Sequence, residues 1–328
     1  MAAPPLHVVV LDDFVGLSVR SSPFLPGRFA ICAAANFGIV GNGRLVVQQE
    51  AAPIAAFTTT AALYDAAWSE LLESQVVAAC ADGSLKLYDI AAHTQGRPLM
   101  AFVEHEAEVS AVDWNLVAKD TFVSASWDGT LKVWHPERPS SLLTLAGHAS
   151  RAKVWEARCA PHHASTVLSA SADGTARVWD VSAGPHANGA ALVLPCGGGE
   201  VLSVDWSKYD ANLFASASVD GVVRLHDLRQ PGVPLAAREG HTLAARRVRF
   251  SPHSPTLLLS ASYDTSVCLW DVGGHSGSSL GQLTTGDVPP LQRFSHHREF
   301  AVGLEWSLFE EGVAASCGWD CQFIVWRV

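Results

Sequence analysis

Four stretches of this chain carry a histidine, a serine and an aspartate at nearly fixed spacing. In the first, His105 precedes Asp128 by 23 residues, Ser124 precedes it by four and Trp134 follows it by six. The set recurs as His148, Ser169, Asp173 and Trp179, and as His241, Ser260, Asp264 and Trp270. It recurs again as His296 or His297 with Ser316, Asp320 and Trp326. Ser-His-Asp is the constellation of a hydrolase triad, where His takes the Ser proton and Asp orients the His. A hydrolase needs one triad, however, and this chain has four. The other chemistry is a buried hydrogen-bonded network. A buried carboxylate needs donors, and His N–H, Ser O–H and Trp N–H supply them. Repetition favours the network, so no catalytic residue is assigned and the chain reads as a non-enzyme. The 14 His show no i, i+4 pair and no Cys/His cluster, so no metal or other cofactor is expected.

The elements that position these residues are strands. SASWDGTLKVW (124–134) places an Asp-Gly pair between two runs of period-two alternation, a strong hairpin signal in which both turn positions are expected at positive φ. The motif returns as AACADGSLKLYD, SASADGTARVWD, SASVDGVVRLHD, SASYDTSVCLWD and SCGWDCQFIVWR, with a degenerate copy GIVGNGRLVVQ at 38–48. Counting from the turn positions 42, 82, 128, 173, 220, 264 and 320, the steps are 40, 46, 45, 47, 44 and 56. A repeat of this length that closes on Trp-Asp is the mark of a β-propeller blade. The chain therefore reads as all-β, one seven-bladed propeller domain over residues 1–328. The seventh copy stops at Trp326 with three strands, so the apolar run Leu6–Leu11 is expected to supply the fourth and close the ring. Residues 182–190 and the Gly/Ser/Pro-rich 273–290 read as loops between blades. Blades one, two and five lack the full network set. Blade two has Tyr88 and blade five His226 in the Trp place, so packing more than the network is expected to hold them.

Composition narrows the function classes. Of 328 residues, 48% are hydrophobic and 16% charged, which provides ample core. With 22 Lys+Arg against 32 Asp+Glu the net charge is −10, so nucleic acid and anionic lipid are disfavoured and basic partners favoured. The seven scattered Cys form no CxxC and are expected to be reduced, buried thiols in a cytosolic-type compartment. The first residues, MAAPPLHVVVLDD, have no basic region and too short an apolar run for a signal peptide. No apolar stretch is long enough for a transmembrane helix, and the final WRV is neither a Ser-Lys-Leu nor an ER-retention tail.

These repeats resemble the WD-repeat β-propellers across essentially the whole chain. Several stretches are more specific. SPFLPGRFAICAAANFGIVGNGRL (22–45), LYDAAWSE (63–70), HEAEVSAVDW (105–114), EVLSVDWSKYDANL (200–213), ARRVRFSPHSPTLLLSASYD (245–264) and HHREFAVGLEWSL (296–308) resemble the peroxisomal import receptors for type-2 targeting signals, the peroxin-7 family. Residues 149–155, ASRAKVW, are longer than that pattern, and 273–290 is unusually Gly-rich. The resemblance implies a cytosolic receptor that shuttles to the peroxisome and its matrix. Its partners would be N-terminal nonapeptides of the kind Arg-Leu-x5-His-Leu on cargo enzymes, an import co-receptor and a docking complex, without membrane insertion.

Such a nonapeptide spans about 13 Å as a helix and puts positions 1, 5 and 8 near one face. A receptor for it needs carboxylates for the Arg and apolar surface for the Leu residues. Glu108 closes the acidic run 104–108 and stands six before Trp114, as Glu200 stands six before Trp206. The pair is expected to clamp one guanidinium. In propellers of this kind the residue before the turn Asp reaches the top surface. Here the large ones are Trp127, Tyr263 and Trp319, expected as an exposed aromatic patch. Tyr64, Trp155 and Arg246 stand four before the ends of their blades' first strands, and Asp65 joins the peptide-binding candidates. The alternative functions are a substrate receptor of a cullin-type ubiquitin ligase, for which HDLR (226–229) with Arg229 would be the adaptor contact, and a generic WD-repeat scaffold.

Overall fold

Short β-rich runs separated by turn residues every ten or so positions leave little for helix to build on. In the computed structural model, which describes residues 4–38, 41–92, 96–149, 152–183, 189–273 and 288–328, the regular structure is 28 strands and two 3-10 turns. The strands form seven four-stranded antiparallel sheets, the blades of a β-propeller. Most of 273–290 and the middle of 182–190 lie outside the described residues.

The seventh blade is closed as the sequence requires. His7–Val10 pairs antiparallel with Gln322–Arg327, the last strand, with His7 opposite Val325 and Val10 opposite Gln322. The first and last segments thereby share one sheet, and the ring has no raw edge between blades seven and one.

Between blades, apolar side chains of adjacent sheets interlock. One cluster joins Ala111, Val123, Leu131 and Val133 of blade three to Val154, Ala157, Val167 and Trp179 of blade four. Trp134, Trp179, Trp270 and Trp326 are all fully buried. Six of the seven cysteines are buried and free, and Cys321 is half-buried and free. No helix among the described residues is long and apolar enough to cross a membrane.

The hairpin turns differ from the sequence expectation in one respect. Gly129 has φ of 87°, whereas Asp128 is not among the positive-φ residues. In the four Asp-Gly turns only the second position, Gly83, Gly129, Gly174 or Gly221, is left-handed, so the Asp keeps ordinary geometry and aims its carboxylate back into the blade. In blades six and seven Thr265 (φ 71°) and Cys321 (φ 58°) take that place without glycine.

The first, innermost strand of every blade shows one register irregularity near its start. Each leaves one residue outside the ladder: Leu17, Tyr64, Ser110, Trp155, Leu202, Arg246 and Val302 in turn. A bulge re-aims its extra side chain and bends the strand. Here it does so seven times around the mouth of the central channel.

Candidate peptide-binding face

The four serine-histidine-aspartate sets are assembled as networks inside their blades. In blade three His105 Nδ1 lies 2.7 Å from Asp128 Oδ2, His105 Nε2 lies 2.7 Å from Ser124 Oγ, and Trp134 Nε1 donates to Ser124 Oγ at 2.8 Å. Blade four repeats this at 2.9, 2.8 and 2.8 Å, and blade six at 3.0, 2.7 and 2.8 Å. Blade seven uses His297, not His296, against Asp320 and Ser316. The Trp donor fixes the polarity. Ser124 accepts from the indole, donates to Nε2, and leaves Nδ1–H for the carboxylate. Ser124 is fully buried with its oxygen already engaged, so no substrate carbonyl reaches it. Burial pushes the Asp128 carboxyl up, but hydrogen bonds from His105 and Thr130 outweigh it and hold it well below the usual carboxylate range.

Blade five is not held by packing alone. His226 takes the Trp place, bonds Ser216 Oγ at 2.8 Å and stacks on Phe214 at 4.6 Å. Burial pushes its pKa down to about 3, so it stays neutral. In blade two Tyr88 packs on Phe57 at 4.6 Å, as expected for a blade without the network.

The top of the ring is built in three tiers. At the rim of blades two to seven, the residue before the turn donates its backbone N–H to the residue that leads into the first strand: Ala81 to Ala62, Trp127 to Glu108, Ala172 to Lys153, Val219 to Glu200, Tyr263 to Ala244 and Trp319 to Phe300. Glu108, Lys153 and Glu200 are therefore equivalent rim positions on three consecutive blades. Below them sits the ring of bulge residues. Below that lies a tier of charges inside the channel.

The aromatic residues from two tiers meet. Tyr64 packs on Trp127 with centroids 5.5 Å apart, and Trp127 meets Trp155 edge-on at 5.3 Å and 71°. Trp155 Nε1 donates to Glu200 at 3.0 Å. The Tyr64 hydroxyl donates to the Gly38 carbonyl at 3.2 Å, and its pKa is raised by burial and then by the charge of Glu108. Arg246 lies 5.7 Å over Trp155 and donates to the Leu202 carbonyl. A second aromatic group, Tyr263–Phe300–Trp319, has centroid spacings of 4.8 and 4.9 Å. It joins Val15, Leu17, Ala62 and Val302 in one cluster that reaches Tyr64. The expected patch of exposed aromatics is thus corrected. Trp127, Tyr263 and Trp319 are half-buried and packed against neighbouring rings rather than protruding.

Two other expectations change. Asp65 is not on this surface. It is fully buried one residue past the bulge, and Arg20 grips it through Nη2 at 2.6 Å and Nε at 3.1 Å. Burial alone would raise its pKa, but Arg20, Arg247 and Arg158 bring it down to about 2. Of the acidic run, Glu104 turns away to Ser141 and Lys132, and Glu106 is exposed at the blade's outer corner. Only Glu108 reaches the aromatic group.

The channel tier was not singled out by the sequence. Glu156, also fully buried, takes Arg247 Nη1 and Arg249 Nη2, both at 2.8 Å. Its carboxyl would be raised by burial, but Arg249, Arg247 and Arg158 hold it well below its ordinary value. A cavity of ≈ 160 Å³ at the far mouth is lined by Arg20, Asp113, Arg158, Asp205 and Glu305, on the face opposite Trp127. Among the described residues no group of three or more His, Cys, Asp or Glu could hold a metal ion.

A model of the WD domain, G-beta repeat, matches residues 96–135, 139–180, 192–227 and 232–271. Over nearly its whole length the chain is 32% identical to the "Peroxisomal targeting signal 2 receptor" of Saccharomyces cerevisiae, covering 97% of this chain and 98% of that one. It is 42% identical to "Peroxisome biogenesis protein 7" of Arabidopsis thaliana, at 96% and 95% coverage. The Dictyostelium discoideum receptor is 39% identical over 92% and 91%. The chain belongs to the peroxisomal targeting signal 2 receptor family.

Within this receptor-family chain the matched repeats correspond to blades three to six, the ones that carry Glu108, Trp127, Lys153, Trp155, Glu200 and Arg246. Arg229, the candidate adaptor contact, folds back on Asp227 with Nη2 at 2.6 Å and Nε at 2.8 Å. It is a strand-end ion pair on the far side of the blade. Lys153 and Phe300 were missed by sequence reasoning. The equivalence of rim positions, six before the Trp of each inner strand, was the signal that finds Phe300.

Proposed function

We propose that this chain is a peroxisomal matrix-protein import receptor whose 328 residues act as one unit, with the top face taking the N-terminal type-2 nonapeptide of cargo enzymes as a helix. The observation that carries this reading is the division of that face. One side offers Glu108 and Glu200 beside the Tyr64–Trp127–Trp155 ladder. The other offers the Tyr263–Phe300–Trp319 floor. An amphipathic helix with an Arg at one end and Leu along one face matches both halves. Half-buried aromatics supply large contact area at small cost in side-chain entropy. The face would be shared with a co-receptor, and a docking complex would receive the loaded pair at the peroxisome. The receptor would shuttle between cytosol and organelle, and it would carry cargo without chemistry.

The test is a pull-down with a type-2 peptide against the same peptide with Arg replaced by Ala. Retention of the first and loss of the second is expected. If neither is retained with co-receptor present, the import reading is wrong.

A further inference from the structure

Lys153 stands on the rim between Glu108 and Glu200, yet its ammonium does not pair with either. Its Nζ lies 4.0 Å from the centroid of the Trp127 ring and 5.6 Å from that of Trp155. Those two rings meet edge to face, and the ammonium lies within reach of both. Trp155 is itself held on Glu200, which puts a carboxylate at the indole N–H edge of that ring. Aromatic faces with a carboxylate on the neighbouring ring describe a cation site that is occupied by a residue of the protein itself.

The occupant is poorly matched to the slot. An ammonium is compact and strongly hydrated, and gives up water to lie on an indole. A guanidinium is planar, more weakly hydrated, stacks on aromatic faces and forks onto carboxylates. We propose that Lys153 is a resident cation that holds the Trp127–Trp155 slot in the unliganded receptor, and that the arginine of an incoming peptide displaces it. This rests on the reading of the top face as a peptide site. Lys153 then sets a threshold. Only a peptide whose cation outcompetes a tethered lysine gains the slot, and an apolar residue at that position leaves the lysine in place.

Lys153→Met keeps the stem and removes the charge. Lys153 is exposed, so affinity for a labelled type-2 nonapeptide should rise on the order of 2- to 5-fold over the unsubstituted receptor, the range that an exposed cation–π contact spans. The same peptide with norleucine for arginine should gain less than about twofold. Unchanged or weaker binding of the arginine peptide by Lys153→Met overturns the proposal. Should neither protein bind the nonapeptide even with co-receptor, the import reading falls, and the slot is judged with N-acetyl-arginine amide. Binding to Lys153→Met that Trp127→Ala abolishes supports it, and no binding of the amide to Lys153→Met overturns it.

Discussion

Asp65 lies in the first strand of blade two and Glu108 immediately before that of blade three, and Glu156 and Glu200 repeat the pairing two blades on. One member of each pair, Asp65 or Glu156, faces the channel, fully buried and gripped by arginines. The other, Glu108 or Glu200, sits on the rim, half-exposed, beside an aromatic ladder. The channel carboxylates have no capacity left for a ligand, because their lone pairs are spent on Arg, Ser and backbone donors. The rim carboxylates do have it. The two tiers thus divide holding the ring together from recognising something outside it.

Glu156→Ala should break the channel tier with the largest effect. It leaves Arg247 and Arg249 buried with their shared partner removed. Deleting one side of a buried ion pair costs about 3–5 kcal/mol, because the remaining charge stays desolvated. Chemical denaturation measures this. A loss under about 1 kcal/mol, the size of a surface pair, would put Glu156 in the wrong tier.

Acid probes the same tier. Asp65 is held at about 2, below the 3.8 of an ordinary aspartate. A depressed folded pKa contributes stability that is complete above the unfolded value and is lost as pH falls through the folded one. Between pH 4 and 2 this carboxylate should surrender about 2 kcal/mol. Asp65→Asn should flatten that part of the stability–pH curve. Identical curves for the variant and the unsubstituted chain would contradict the assignment.

Asp128→Ala belongs to a third place, the blade interior. His105 and the Glu106 backbone N–H lose their shared acceptor, at a cost of about 1–3 kcal/mol. An unchanged melting temperature would mean water replaces the carboxylate without penalty.

Much of this division was legible in the sequence, and each exception has its own physical cause. The repeat, the seven blades, the closing strand and the His-Ser-Asp-Trp sets all follow from spacing within a blade, which a single chain displays. The channel tier does not. In ARRVRF (245–250) the arginines alternate with apolar residues as solvent-facing residues would, and only the ring shows that Arg249 reaches Glu156, 93 positions away. Asp65 was misplaced for a local reason. The irregularity between Leu63 and Asp65 sends Tyr64 outward and turns the next residue into the channel. A one-residue shift exchanges the faces of a strand, and nothing in LYDAAW announces it. His226 was taken for a break in the pattern, although an imidazole offers the Ser the same edge that an indole does.

Glu108→Lys is the sharpest test because it should do least to stability. The residue is half-exposed and its side chain holds no blade together, so the melting temperature should shift by an amount equivalent to about 0.5 kcal/mol or less. Peptide binding should fall at least tenfold, about 1.4 kcal/mol, since an added cation beside Lys153 repels the signal arginine and the carboxylate is lost. Glu108→Gln, which removes charge without inverting it, should fall between. The informative failure is a stability loss like that of Glu156→Ala. It would mean the rim carboxylate is structural after all, and that the division between channel and rim does not separate stability from recognition. Measuring both variants for melting and for peptide affinity in one buffer decides between these outcomes, because the channel tier predicts correlated losses and the rim predicts a loss in affinity alone.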